Sequence, residues 1–382
     1  MKYIYNIKFY SPYIKQGFTL IISFIVYYLT IEISGIEFFG QVGIKVSQIM
    51  IISSIITFGF QENSSYLYVE NKLGEFYSLL RVLIILISLF ALMFYNTNFG
   101  KLLLIISFFT SWRILDPYIR LNFSYKTYFN IIVISHLVGS ITRLIILIKH
   151  PLHVEYYLLS YYSIFFIVSL IYYPKIKIKN SIKKINTLFN KEWVYIYISS
   201  LIYPLRQFLI FNLISITTPA KNLGYWNVFN KFLDVLQTSR VEVFKKEQKS
   251  LLDGNRLNRF KYFTFILFSL IIYSAYYCYK LVLNIDESFI IIYFVSIFSQ
   301  IIWLYYLDRY YNYSVRNVSK LYILSTALIN TFIFVVIYSL KLDYKTFVIL
   351  TSLIPPITSL MLIYFIKKWK KKSQNNFNFT KK

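Results

Sequence analysis

The sequence is poor in charge, and poorest in acidic residues. Only 15% of its 382 residues are charged, and Asp and Glu number 16 against 41 Lys and Arg. Soluble domains usually have about 25% charged and about 45–50% apolar residues, whereas 57% of this chain is hydrophobic. The composition therefore excludes an ordinary soluble protein and predicts a polytopic membrane protein.

Cysteine and the common catalytic motifs are also missing or nearly so. The one cysteine, Cys278, lies in an apolar run, which excludes an intramolecular disulfide and a thiolate metal site. The chain contains no G-x-x-x-x-G-K-[ST], no H-E-x-x-H and no G-x-S-x-G. We therefore predict that the protein is not an enzyme and has no catalytic residue, no metal and no cofactor.

Long apolar runs fill most of the chain. A transmembrane helix takes about 20 apolar residues, and about twelve runs approach that length. They lie at 16–34, 42–62, 79–96, 101–120, 128–148, 155–174, 193–216, 224–244, 260–281, 288–307, 320–340 and 346–366. Barrel strands would be shorter and would alternate polar with apolar residues, so the fold class is predicted to be all-α. No cleavable signal peptide is expected, because the first run has no small-residue cleavage site after it.

Most of the Lys and Arg residues fall in alternate segments between the runs. By the positive-inside rule these segments are cytoplasmic, as are both termini. A basic linker at 175–192 then separates six-helix lobes at 1–174 and 193–366, and a basic tail follows at 367–382. A net charge of +25 would favour nucleic acid in a soluble chain, but these positions favour anionic lipid headgroups. Membrane lipid, and not nucleic acid, is the expected partner.

The least apolar run begins in LGYWNVFNKFLDVLQTSR (223–240). Without it the orientation of every later loop would invert, so we predict that it crosses the membrane. Its spacing places Asn227, Lys231 and Asp234 on one helical face. A charge at the bilayer centre is costly unless it faces protein or water, so this face is predicted to line a cavity. The alternative is a helix that lies on the membrane surface.

Other polar residues are candidates for the same cavity. Arg206 lies about 20 Å along its helix from Trp193, near the middle of the bilayer. Arg206 could alternatively form a structural ion pair between two helices. The side chain of Arg143 could alternatively extend to the outer membrane interface. Asp234 could pair with Lys231 or with Arg206. The full predicted set for the cavity is Lys15, Gln16, Arg143, Arg206, Asn227, Asn230, Lys231 and Gln237, with Glu62 and Asp234 as candidates for ion coupling.

Three segments carry a resemblance to a known family. They are SGIEFFGQVG (34–43) with TFGFQENSSYLYVENK (57–72), LGYWNVFNKFLDVLQTSRVEVFKKEQ (223–248), and Lys15-Gln16-Gly17. Together with the layout of two lobes and a basic linker, they are similar to the MOP exporter superfamily. Within it, the chain resembles the polysaccharide, or O-antigen, flippases of the Wzx type.

The resemblance implies a transporter of the bacterial cytoplasmic (inner) membrane. The implied cargo is an oligosaccharide on undecaprenyl diphosphate, moved by alternating access between the lobes, with a polysaccharide polymerase and chain-length proteins as further partners. Arg206 and Lys231 would attract the diphosphate or acidic sugars, and Asp234 or Glu62 would couple H⁺ or Na⁺.

Two other functions are considered. An O-antigen polymerase would be expected to have a sizeable extracytoplasmic loop, whereas every predicted outside segment here is short. A drug or ion exporter of the same superfamily would be expected to have an acidic cavity, whereas the predicted one is cationic.

Overall fold

The computed structural model describes residues 2–61, 64, 67, 72–123, 125–172, 191–232, 266–275 and 277, together with 332, 357, 360, 361 and 364. Throughout this part of the chain the regular structure is helical, with no β-strand. The prediction of an all-α fold is therefore confirmed for these residues.

Eight helices account for nearly all of the described chain. They are α1 (Lys2–Ile56), α2 (Leu73–Met93), α3 (Asn98–Asn122), α4 (Tyr125–Lys149), α5 (Val154–Ile171), α6 (Lys191–Thr217), α7 (220–232) and α8 (Ile266–Ala275). Five segments are long and apolar enough to cross a membrane, namely Ile21–Ile56, Leu73–Met93, Asn98–Ile119, Asn130–Lys149 and Val154–Ile171. They indicate a membrane protein. The total of twelve spans stays a prediction, since most of the runs beyond residue 232 lie outside the described residues.

Helix α1 breaks at a single residue, Gly35. Its φ of 85° and ψ of 161° lie in a region that is essentially restricted to glycine. The rings of Tyr27 and Phe39 are 5.1 Å apart across this break, whereas a straight helix would separate them by about 18 Å along its axis. The chain therefore bends sharply at Gly35. The runs at 16–34 and 42–62 predict a loop between them, but the helix resumes directly after Gly35, and Phe38 and Phe39 are buried in it.

The connections beyond α2 are short. Between α2 and α3, the Thr97 hydroxyl accepts a hydrogen bond of 3.0 Å from the amide of Gly100, which caps the start of α3. A Cβ on Gly100 would lie 2.0 Å from the carbonyl oxygen of Phe94. Only glycine therefore fits this turn, and α2 packs directly on α3.

Helix α3 is the most buried of the five candidate spans, with 72% of its most apolar stretch buried inside the protein. It packs on α2 and α5, and α5 packs on α4. One core cluster joins α3 to the second half of α1 and to α5 through residues such as Val42, Phe109 and Phe165. The modest apolarity of α3 follows from this position, since a helix surrounded by protein can carry polar residues that lipid would exclude. Helix α2, by contrast, leaves Leu86 and Leu89 exposed.

The chain divides into two compact units. One is Gly17–Gly224, which contains α2 to α6 and most of α1, and the other is Met1–Gln16 with Tyr225–Lys382. The predicted lobes at 1–174 and 193–366, with the linker at 175–192 and the tail at 367–382, stay a prediction. The linker, the tail and most of the second lobe lie outside the described residues.

Candidate functional site: buried cations and amides

The structure describes only part of the predicted cavity set. The residues Glu62, Asp234 and Gln237 lie outside the described residues, as do the side chains of Lys15 and Gln16, whose backbone belongs to α1. Arg143 lies on α4, Arg206 on α6, and Asn227, Asn230 and Lys231 on α7. The pairings predicted for Asp234 therefore stay untested.

Helix α7 is buried on both its polar and its apolar side. The side chains of Asn227 and Asn230 are 1% and 7% exposed, and Trp226 and Phe229 are also buried. Lys231, at the end of the described helix, is half-buried. A helix lying on a membrane surface keeps its polar face in water. The burial of both asparagines therefore argues against the surface helix that was the alternative for this segment.

Arg206 is half-buried in the middle of α6. The helix runs without interruption from Lys191 to Thr217 and contains Pro204. Prolines are tolerated within transmembrane helices when neighbouring groups satisfy the freed carbonyl. Arg206 thus lies on a continuous helix, two residues from its midpoint at residue 204, and its depth in the membrane stays a prediction.

Arg143 is enclosed by tyrosine rings. Its guanidinium carbon lies 4.6 Å from the ring centre of Tyr161 and 5.4 Å from those of Tyr27 and Tyr157, and only 6% of the residue is exposed. The side chain therefore does not extend to an exposed interface, which was the alternative role considered for it. Each cation–π contact contributes about 0.5–2 kcal/mol.

The cage around Arg143 is itself held by hydrogen bonds. The hydroxyls of Tyr157 and Thr30 are 3.2 Å apart, which ties α5 to the first half of α1. The Tyr161 hydroxyl forms a hydrogen bond with Nδ1 of His136, and the His136 ring also contacts Trp112 and Phe165. His136 is therefore packed among aromatic rings. The two hydrogen bonds hold Tyr157 and Tyr161, two of the three rings that face the guanidinium, in place.

Arg113 is a second buried arginine. It lies within α3, inside the apolar run predicted at 101–120, and is only 8% exposed. Its guanidinium donates hydrogen bonds to Oε1 of Gln61 and the carbonyl of Met50, both at 3.2 Å, and to Oγ of Ser54. Ser54 on α1 and Gln61 just beyond its end were the polar residues of the apolar run at 42–62 that could have indicated a buried donor opposite them.

Two of the segments that carry the family resemblance meet at one end of the helices. A Cβ on Gly224, at the start of α7, would lie 2.2 Å from the carbonyl oxygen of Ile36. A Cβ on Gly40 would lie 2.8 Å from the amide nitrogen of Gly224. Both glycines are therefore required by a close approach of two backbones.

Replacing Gly224 with alanine should weaken this contact. Overpacking against backbone typically lowers the free energy of unfolding by about 1–3 kcal/mol, which thermal unfolding of the purified protein in detergent would detect. Lys221→Ala is the matched control, because Lys221 is exposed on the same turn of α7 and surface changes usually stay within about 0.5 kcal/mol. Equal unfolding temperatures for Gly224→Ala and Lys221→Ala would contradict the contact.

Polar contacts at this same end involve α1, α3 and α5. The ammonium of Lys45 lies 3.5 Å from a carboxylate oxygen of Glu155, and that of Lys101 lies 5.1 Å from the ring centre of Tyr156. Among the described residues, no group of three His, Cys, Asp or Glu side chains is placed to hold a metal ion.

These buried groups are cations, amides and hydroxyls, which can bind an anionic or hydroxyl-rich molecule by hydrogen bonds and charge. Comparisons with protein-family models, with curated proteins and with solved structures find no match to this chain.

Proposed function

We propose that the protein is a polysaccharide flippase of the Wzx type. It would move an oligosaccharide linked to undecaprenyl diphosphate from the cytoplasmic to the outer leaflet of the bacterial inner membrane. In this proposal about twelve helices form two six-helix lobes, both termini are cytoplasmic, and the lobes alternate in access to the two sides.

The observation that carries the proposal is the set of buried cations and amides in helices that are otherwise apolar. Arg143, Asn227 and Asn230 are each less than one-tenth exposed, in a chain with five candidate membrane spans. Ionisable and amide groups at such positions are costly in lipid and usually mark a substrate path. Their positive and neutral character suits a cargo with phosphates and sugar hydroxyls.

In this mechanism no bond is made or broken. Arg206 and Lys231 attract the diphosphate, and the asparagines of α7 donate to sugar hydroxyls. Asp234 or Glu62 would take up H⁺ or Na⁺ when the cargo leaves. The close contact between Gly224 and Ile36 would lie at the outer end of the path.

Flipping can be measured with the purified full-length chain in liposomes. The liposomes would contain undecaprenyl diphosphate oligosaccharide with a fluorescent label on the sugar, and a membrane-impermeant reductant would bleach the label in the outer leaflet. We expect the protein to make the inner-leaflet label accessible, so that bleaching proceeds further than in protein-free liposomes.

Labelled phosphatidylcholine in the same liposomes is the control for non-specific exchange. Bleaching of the labelled glycan no further than in empty liposomes, or equal acceleration for both lipids, would contradict the proposal. Elongated glycan on a gel would favour the polymerase instead, and uptake of a cationic dye would favour the drug exporter.

A further inference from the structure

Two buried arginines of the first compact unit, Arg113 and Arg143, differ in how their donors are used. They are equally inaccessible, at 8% and 6% exposed. Arg113 donates to a hydroxyl and a carbonyl of α1 and to the side-chain amide of Gln61, as expected of a structural arginine whose donors must be satisfied.

Arg143 makes no such hydrogen bond and no ion pair with any residue in the described part of the chain. Its Nε is buried and has no hydrogen-bond partner, and its guanidinium lies against the rings of Tyr27, Tyr157 and Tyr161. A guanidinium carries five N–H donors in its own plane. Ring faces attract its charge but accept none of those donors in the way an oxygen does.

Burial without an acceptor is costly for a charged donor. The buried carboxylate that usually offsets this cost is missing among the described neighbours, since the carboxylate on the adjacent helix, Glu155, pairs with Lys45. Because planar N–H pairs match the two oxygens of a phosphate or carboxylate, the free edge of Arg143 is suited to an oxyanion.

We infer that Arg143 and its tyrosine cage form an oxyanion-binding site, which takes a phosphate or carboxylate group of a ligand that enters the helices. The site lies about 9 Å inside the end of α4, since Arg143 is six residues before Lys149 and each residue rises about 1.5 Å. That depth is below the headgroup level, so the site would receive an acidic group on a molecule within the protein. The inference does not depend on flipping, because binding and transport are measured separately.

The test is the thermal unfolding of the purified full-length protein in neutral detergent with increasing inorganic phosphate. Phosphate also stabilises proteins non-specifically, so the comparison between variants is decisive. We expect a saturable rise in unfolding temperature for the wild-type protein, and binding weakened by about tenfold or more in Arg143→Gln. Arg143→Lys keeps the charge but lacks the planar fork, so it should fold like the wild type and bind phosphate more weakly.

Lys101→Gln is the matched control, because Lys101 is also a cation over a tyrosine ring and its removal should leave the phosphate response unchanged. Titrations with glucuronate, with glucose and with short-chain phosphatidylglycerol would distinguish a sugar carboxylate, a neutral sugar and a lipid phosphate. Either oxyanion response, if lost in Arg143→Gln, supports the site. The proposed site would be overturned if phosphate raised the unfolding temperature equally in the wild type, in Arg143→Gln and in Arg143→Lys. A rise with glucose alone would also overturn it.

Discussion

If the proposed function is right, cells that carry Arg206→Ala or Lys231→Ala should lose surface polysaccharide when either variant replaces the native protein. Each change removes a cation that the sequence predicts near mid-depth of the membrane, on α6 or on α7. Hydrogen bonds to charged groups contribute about 1.5–3 kcal/mol, and each 1.4 kcal/mol is about a tenfold change in an equilibrium constant. The expected loss of translocation is therefore about ten- to hundredfold.

The measurement is polysaccharide on the cell surface, with the amount of protein in the membrane determined in parallel. Lys149→Ala is the matched control, because Lys149 is exposed at the end of α4 and should be dispensable. Arg206→Lys should retain part of the export. Normal polysaccharide from both alanine variants at normal protein levels would refute the role of these cations.

Arg113→Ala should cause the largest loss of stability of any single change considered. Three acceptors, from Met50 and Ser54 on α1 and from Gln61 beyond its end, would lose a charged donor in a buried position. Hydrogen bonds to charged groups are worth about 1.5–3 kcal/mol each, but the variant also loses the cost of burying the charge. The net fall in the free energy of unfolding should therefore be smaller than the sum of the three bonds, at about 3 kcal/mol. Thermal unfolding in detergent, together with the yield of monodisperse protein, would measure it.

The origin of that loss can be tested by removing the acceptors as well. When both partners of a buried polar contact are replaced by apolar groups, much of the penalty disappears. The triple variant Arg113→Met, Gln61→Leu, Ser54→Ala should therefore unfold at a higher temperature than Arg113→Met alone. If the two unfold at the same temperature, unsatisfied acceptors are not the cause.

The sequence by itself predicted the helical class and the approximate places where the first helices end. Run length, the glycine at 35, and the short polar segments at 94–97 and 150–153 are local signals, because each helix needs only its own residues to satisfy its backbone in lipid. The sequence also predicted that the polar residues of the segment containing Asn227 and Asn230 are buried, since helical periodicity places them on one face.

Only the tertiary structure decided which side chains meet. The sequence placed Arg113 within an apolar run without indicating its partners, and it left Arg143 between two roles. Both lie buried, Arg113 against Met50, Ser54 and Gln61, and Arg143 against tyrosines of α1 and α5. The contact of Gly224 with Ile36 joins residues far apart in the chain. Such contacts depend on how separate helices pack, and a sequence pattern within one helix reports its faces but not the partner that each face finds.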